Sequence, residues 1–273
     1  MHPGLVAQFL GQEWVPRLCG TPGSSCPDPQ RLLEERAGHW QSGRFAKAAA
    51  CAEEAAQLAQ ETGDAKKLRD ALRCAVRDLG DHVVSTHLNE TERMKATARI
   101  GTHIARLESL DLPKSELALE KALLARLEIR PDDALRYAEA AESEATDPET
   151  IADALLVQLQ ANWQKETPER GLELRDRVQA AQARLVRGDP RLVLSASWLR
   201  TLRRAGACRG EDVSEFVGLV RGLVTSSQVP PARALTLIDE VVRDFGRADD
   251  LDGASALLMV ALDAAIAVPD ALR

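Results

Sequence analysis

Apolar residues along this chain recur at steps of three and four. Leu68, Leu72, Ala75, Val76, Leu79 and Val83 form one such series, and Leu235, Ile238, Val241, Val242 and Phe245 form another. That spacing lines one face of an α-helix. No stretch shows sustained period-two alternation between hairpin turns. The polar punctuation agrees. Gly63-Asp64 ends one helix and caps the next, and Asn89-Glu90-Thr91-Glu92 has the reach of a capping box. Asp147-Pro148, Thr167-Pro168 and Asp189-Pro190 each set a capping oxygen before a proline at the first helical position, with Gly188 as the end of the preceding helix. These marks predict about twelve helices, at 30–42, 44–62, 64–87, 89–110, 114–129, 131–146, 148–165, 167–187, 190–206, 211–227, 231–246 and 249–267. Short loops between them require neighbours to run antiparallel.

Composition strengthens the all-α reading. Of 273 residues, 45% are hydrophobic but only 3% aromatic, because Ala and Leu, the best helix formers, carry the apolar share. Helices that are charged on one face and small or aliphatic on the other suit an open stack of hairpins better than one closed core. Paired, they give units of about 35 to 49 residues, the size of helical hairpin repeats.

The segment HWQSGRFAKAAACAEEAAQLAQETGD, residues 39 to 64, sets a Ser-Gly bend before a helix whose buried side chains are nearly all methyl groups. It resembles the tetratricopeptide repeat. Gly43 and Phe45 match that family's turn, and Ala48 and Ala55 match its small positions, where lack of bulk lets helices nest. Glu35-Arg36 depart from the family's Leu-Gly, His39 stands for its Tyr, and Gln60 stands for its closing Pro. Later units keep fragments: Pro131-Asp132-Asp133-Ala134-Leu135 with Ala141, and Glu169-Arg170-Gly171-Leu172. The resemblance implies an all-α solenoid of about six stacked antiparallel hairpins over 30–273, after a partly irregular extension at 1–29. It further implies a non-catalytic protein- or peptide-binding scaffold or adaptor, or alternatively a regulatory or ligand-sensing domain of a larger signalling protein.

Charge and chemistry narrow the classes. A net charge of −7 argues against a general nucleic-acid surface. Five cysteines without a CxxC pair point to a reduced compartment, and Cys19 and Cys26 read as incidental loop thiols. The N-terminus lacks a basic signal-peptide region, and the longest apolar run, 254 to 268, is too short to span a bilayer and holds Asp263. A cytoplasmic protein is expected, with no membrane partner. No phosphate-binding loop, nucleophile elbow or HExxH occurs, so neither catalytic residues, cofactors nor metal are expected. His87 with Glu90 lacks a third ligand, and Glu53-Glu54 reads as a solvated face.

One cationic stretch stands out. Residues 184 to 209 hold Arg184, Arg187, Arg191, Arg200, Arg203, Arg204 and Arg209 against the single Asp189. Arg200 and Arg204 share a helix face with Arg203 beside them, and Trp198 lies on the same helix. Arginine forks grip carboxylate or phosphate, and tryptophan adds a flat anchor. Trp198, Arg200, Arg203 and Arg204 are therefore the candidate binding residues, for an acidic protein or peptide. The competing reading pairs these arginines internally, with Glu211, Asp212 or the acidic 139–153 region. The last helix, apolar almost all round, calls for a cover: a further domain, a partner or a second copy.

Overall fold

The computed structural model describes residues 28–86, 88–246 and 251–266. Every described element is helical: α1 (Pro29–Gln41), α2 (Phe45–Thr62), α3 (Ala65–Ser85), α4 (Glu90–Glu108), α5 (Lys114–Leu127), α6 (Pro131–Glu144), α7 (Pro148–Gln164), α8 (Pro168–Gly171), α9 (Arg175–Arg184), α10 (Gly188–Arg204), α11 (Gly210–Thr225), α12 (Pro231–Gly246) and α13 (Leu251–Ile266). The twelve expected helices are all present, the one at 167–187 being split into α8 and α9 by a 3-10 turn at Leu172–Leu174. None of the described helices is long and apolar enough to cross a membrane. Most of the expected extension at 1–29, with Cys19 and Cys26, lies outside the described residues, as does His87.

The capping chemistry holds at three of the expected places. Gly63 takes a left-handed φ of 72° and Asp64 accepts from the backbone N–H of Lys67 at 3.0 Å. Asn89 and Glu92 close their box, and Asp147 accepts from the N–H of Thr150 at 2.8 Å. Two caps differ. Thr167 makes no side-chain cap bond, and α10 starts at Gly188, so Asp189 is already inside the helix. Its carboxylate is taken by Arg233 instead, at 3.1 Å. Gly188 is there for space rather than for a helix end: an added Cβ would lie 2.8 Å from Gln228 Cβ and 3.1 Å from both Leu223 and Val229.

Helices pack against their chain neighbours and also against the next but one. Counting α8 and α9 as one element, α1, α3, α5, α7, α10 and α12 make a row in which each touches the next. The apolar interior follows the chain in consecutive clusters. One joins α1 to α5 and another α5 to α7. A third joins α7 to α10 and the last α10 to α13.

Methyl groups set the spacing. In α2 the buried positions are Phe45, Ala48, Ala49, Ala52, Ala55, Ala56 and Ala59, a run of threes and fours. In α6 they are Ala134, Ala138 and Ala141. Gly43 reverses the chain at φ 69°, and the Trp40 and Phe45 rings meet edge to face across that turn, 6.4 Å apart. Gly171 does the same job of close approach between α8 and α10, where a Cβ would meet Thr201 Cγ2 at 2.6 Å. At the far end, α13 packs on both α12 and α11, burying Ala254, Leu257 and Val260 while Leu258 and Met259 face outward.

Overfilling one methyl-sized contact tests this arrangement. Ala55→Leu, at a site with no exposed surface, is expected to cost about 1–3 kcal/mol in urea denaturation. Ala46→Leu, on the exposed side of the same helix, should stay within about 0.5 kcal/mol of wild type.

Candidate functional site

The row of alternate helices carries a ladder of charged groups. Arg36 on α1 grips the fully buried Asp78 on α3 through two bonds, 2.7 and 2.5 Å. Trp40 Nε1 donates to Asp81 at 2.9 Å. From α3, Arg73 reaches Glu116 at 2.6 Å and Glu120 at 3.5 Å on α5, and Arg77 reaches Asp153 on α7 at 3.1 Å. From α5, Arg126 donates to Gln160 on α7, and its carbonyl accepts from Gln164 at 2.9 Å. Trp163 Nε1 donates to Thr201 Oγ1 at 3.0 Å, tying α7 to α10. The ladder ends where it began. Arg233 on α12, bonded to Asp189, also lies over the Trp40 ring of α1, 5.2 Å from its centroid.

Burial shifts these groups, Glu120 being fully buried and Asp81, Asp153 and Arg126 half-buried. Burial raises Asp81 above the ordinary carboxylate range, against Trp40, Arg233 and Arg126, with Asp189 adding like-charge repulsion. Glu120 and Asp153 are raised for the same first reason, despite Arg77 and Arg73. Arg126 is the cationic counterpart: burial lowers its pKa although Asp81 and Glu240 pull the other way. Among the described residues no carboxylate comes within ion-pair distance of Arg126, and its buried Nε has no hydrogen-bond partner. The ladder therefore holds one half-buried guanidinium with no carboxylate in direct contact among the described residues.

The four residues selected from the sequence sit around this ladder. Arg200 and Arg204 do share a face, but that face is occupied. Asp244, with 5% of its side chain exposed, accepts from Arg200 Nε at 2.7 Å and from Arg204 at 3.1 and 2.9 Å. Glu240 takes the other arm of Arg200 at 2.8 Å. Both guanidinium groups also lie over the Trp163 ring, at 4.8 and 4.7 Å. Internal pairing is thus the outcome for these two, with α12 supplying the acids in place of Glu211 or Asp212. Burial would raise Asp244, but the bonds from Arg204 and Arg200 hold it below the usual carboxylate range. Arg203 lies over the Phe245 ring at 5.3 Å, and Trp198 lies apart, with Arg175 over its ring at 5.9 Å. From the arginine-rich stretch, Arg187 meets the acidic 139–153 region, through Glu149 at 3.0 Å.

Two further departures concern chemistry. Glu53 is not a solvated carboxylate: burial would raise it, yet His103, at 2.9 Å, and Arg99 hold it lowered and so pin α2 to α4. No metal ligands are expected from the sequence, but Glu35, His39 and Cys51 bring one donor atom each to within 4.8 Å of one another. Sequence spacing hid this set, because Cys51 is on the next helix. A surface depression of about 350 Å³ lies beside Arg175, Cys208, Arg209 and Asp212.

Compared with known proteins, the chain matches no family model and no curated protein.

Reversing charge at Arg200 and Arg204 would set four carboxylates together. The double variant Arg200→Glu/Arg204→Glu is expected to lose about 3–5 kcal/mol in urea denaturation. Adding Asp244→Arg should restore part of the loss in a mutant cycle. Asp81→Asn works in the other sense. The folded pKa of Asp81 is raised, so its ionised form penalises folding above that pKa, and the penalty vanishes below the ordinary carboxylate value. The variant should melt higher than wild type at pH 7, and the gap should close as pH falls through the carboxylate range.

Proposed function

We propose that the chain is a tetratricopeptide-like solenoid acting as a non-catalytic scaffold, which holds an acidic segment of a partner protein along its inner helix row. Arg126 carries the reading. A desolvated guanidinium without a contacting carboxylate is costly, and an incoming carboxylate would relieve that cost through charge-assisted hydrogen bonds. The neighbouring groups fit a peptide ligand. Gln160 and Gln164 offer amide partners on α7, and Trp40 with Arg233 offers a flat cationic ledge where α12 meets α1. The repeat-like positions support the architecture: Gly43 adopts the left-handed turn, and Ala48, Ala55, Ala134 and Ala141 are fully buried.

This reading moves the binding determinant from Arg200 and Arg204, which are already paired, to Arg126, which is not. It also separates binding from stability. Arg126→Gln removes a buried charge, so the fold should be retained or strengthened, as read by circular dichroism and urea denaturation. On an array of peptides rich in Asp and Glu, wild type should bind a subset, and Arg126→Gln should weaken that binding roughly tenfold or more, as expected for loss of a hydrogen bond to a charged group. Equal binding by both proteins would remove Arg126 from the site.

A further inference from the structure

We infer that Glu35, His39 and Cys51 form a binding site for a transition-metal ion of the zinc type, bridging the first two helices. Glu35 and His39 are four residues apart on α1 and therefore share one face. Cys51 comes from α2, where the Gly43 turn and the methyl contacts of Ala48, Ala52 and Ala55 hold the second helix close. The three donor atoms lie within 4.8 Å of one another, and Glu35 Oε1 is 3.7 Å from His39 Nε2. Zinc bonds of 2.0–2.3 Å in a tetrahedron put ligand atoms roughly 3.3–3.7 Å apart. The carboxylate–imidazole edge is already at that spacing. The other two edges involve Cys51 and lie within 4.8 Å; side-chain rotation of Cys51 and of the exposed Glu35 would close them.

The imidazole supplies an independent observation. His39 Nδ1 is buried and has no hydrogen-bond partner. Nε2 meets Glu35 only at 3.7 Å, beyond hydrogen-bond length. Among the described residues neither ring nitrogen of His39 makes a hydrogen bond, so the one that faces the carboxylate and the thiol is open to a metal ion and the other to water. Thiolate, imidazole and carboxylate together suit Zn²⁺ and its d-block neighbours rather than Mg²⁺ or Ca²⁺, which favour oxygen alone. Cys51 binds as thiolate, releasing its proton to solvent as the metal–sulfur bond forms. With three protein donors, the fourth position is left to water. The ion would clip α1 to α2 at the start of the row.

Calorimetric titration of ZnCl₂ into the full chain tests this, in a Cys19→Ser/Cys26→Ser background that removes the thiols of the N-terminal segment. One Zn²⁺ per chain is expected, with a rise in melting temperature that grows with free metal. Co²⁺ in its place should give the absorption of a thiolate-bound tetrahedral ion. Cys51→Ser and His39→Gln should each weaken Zn²⁺ binding by at least about tenfold and abolish the cobalt–thiolate band, while Cys208→Ser changes neither. Binding unaffected by Cys51→Ser and His39→Gln, or no binding by the parent, would overturn the assignment. Circular dichroism of each variant separates loss of a ligand from loss of the fold.

Discussion

The closeness with which consecutive helices can approach governs this molecule. Where α2 presents Ala48, Ala52 and Ala55, and where Gly171 and Gly188 leave no room for a Cβ, helix backbones come together at distances that larger side chains would forbid. Interiors are packed near crystal density, so such contacts tolerate little added volume. Apolar burial is then distributed over successive interfaces, each joining elements adjacent in the chain. No single centre collects the hydrophobic surface, and alternate helices are left to meet one another along a second line.

That second line is electrostatic. Bringing α1, α3, α5, α7, α10 and α12 side by side would strand their inner charges away from water, and a buried charge is tolerable only when matched. The matching is done helix to helix, by Arg36 with Asp78, Arg73 with Glu116 and Glu120, Arg77 with Asp153, and Arg200 and Arg204 with Asp244. Such pairs repay their desolvation only in good geometry. Raised carboxylates at Asp81, Glu120 and Asp153 show that desolvation outweighs attraction there. Arg126 is the point at which the internal matching stops.

The two ends of the array differ in character. The first hairpin carries the Gly43 turn and the cluster of Glu35, His39 and Cys51, whereas α13 meets both α11 and α12 through Ala254, Leu257 and Val260. Two faces of that last helix are thereby covered from within the chain, which supplies part of the cover its apolar sequence calls for. Leu258 and Met259 remain outward-facing.

Local chemistry made the helices readable without coordinates. Periodicity of three and four, caps at Asp64, Asn89 and Asp147, and prolines at 131, 148, 168 and 231 act within one or two turns of the chain, so each element, its approximate ends and its buried alanines are legible in order. The limits of that legibility are equally physical. Gly188 and Asp189 read as helix punctuation, yet their roles are set by Gln228 and Arg233, some forty residues away. The arginine-rich stretch reads either as a binding face or as an internally paired one, and the acids that pair Arg200 and Arg204, Asp244 and Glu240, arrive from α12 rather than from the neighbours the sequence offered. Arg126 looks ordinary in the sequence because its isolation is a property of the helices around it. Charge partners and ligand sets depend on which helices face each other, and only the stacking of α1 through α13 decided that.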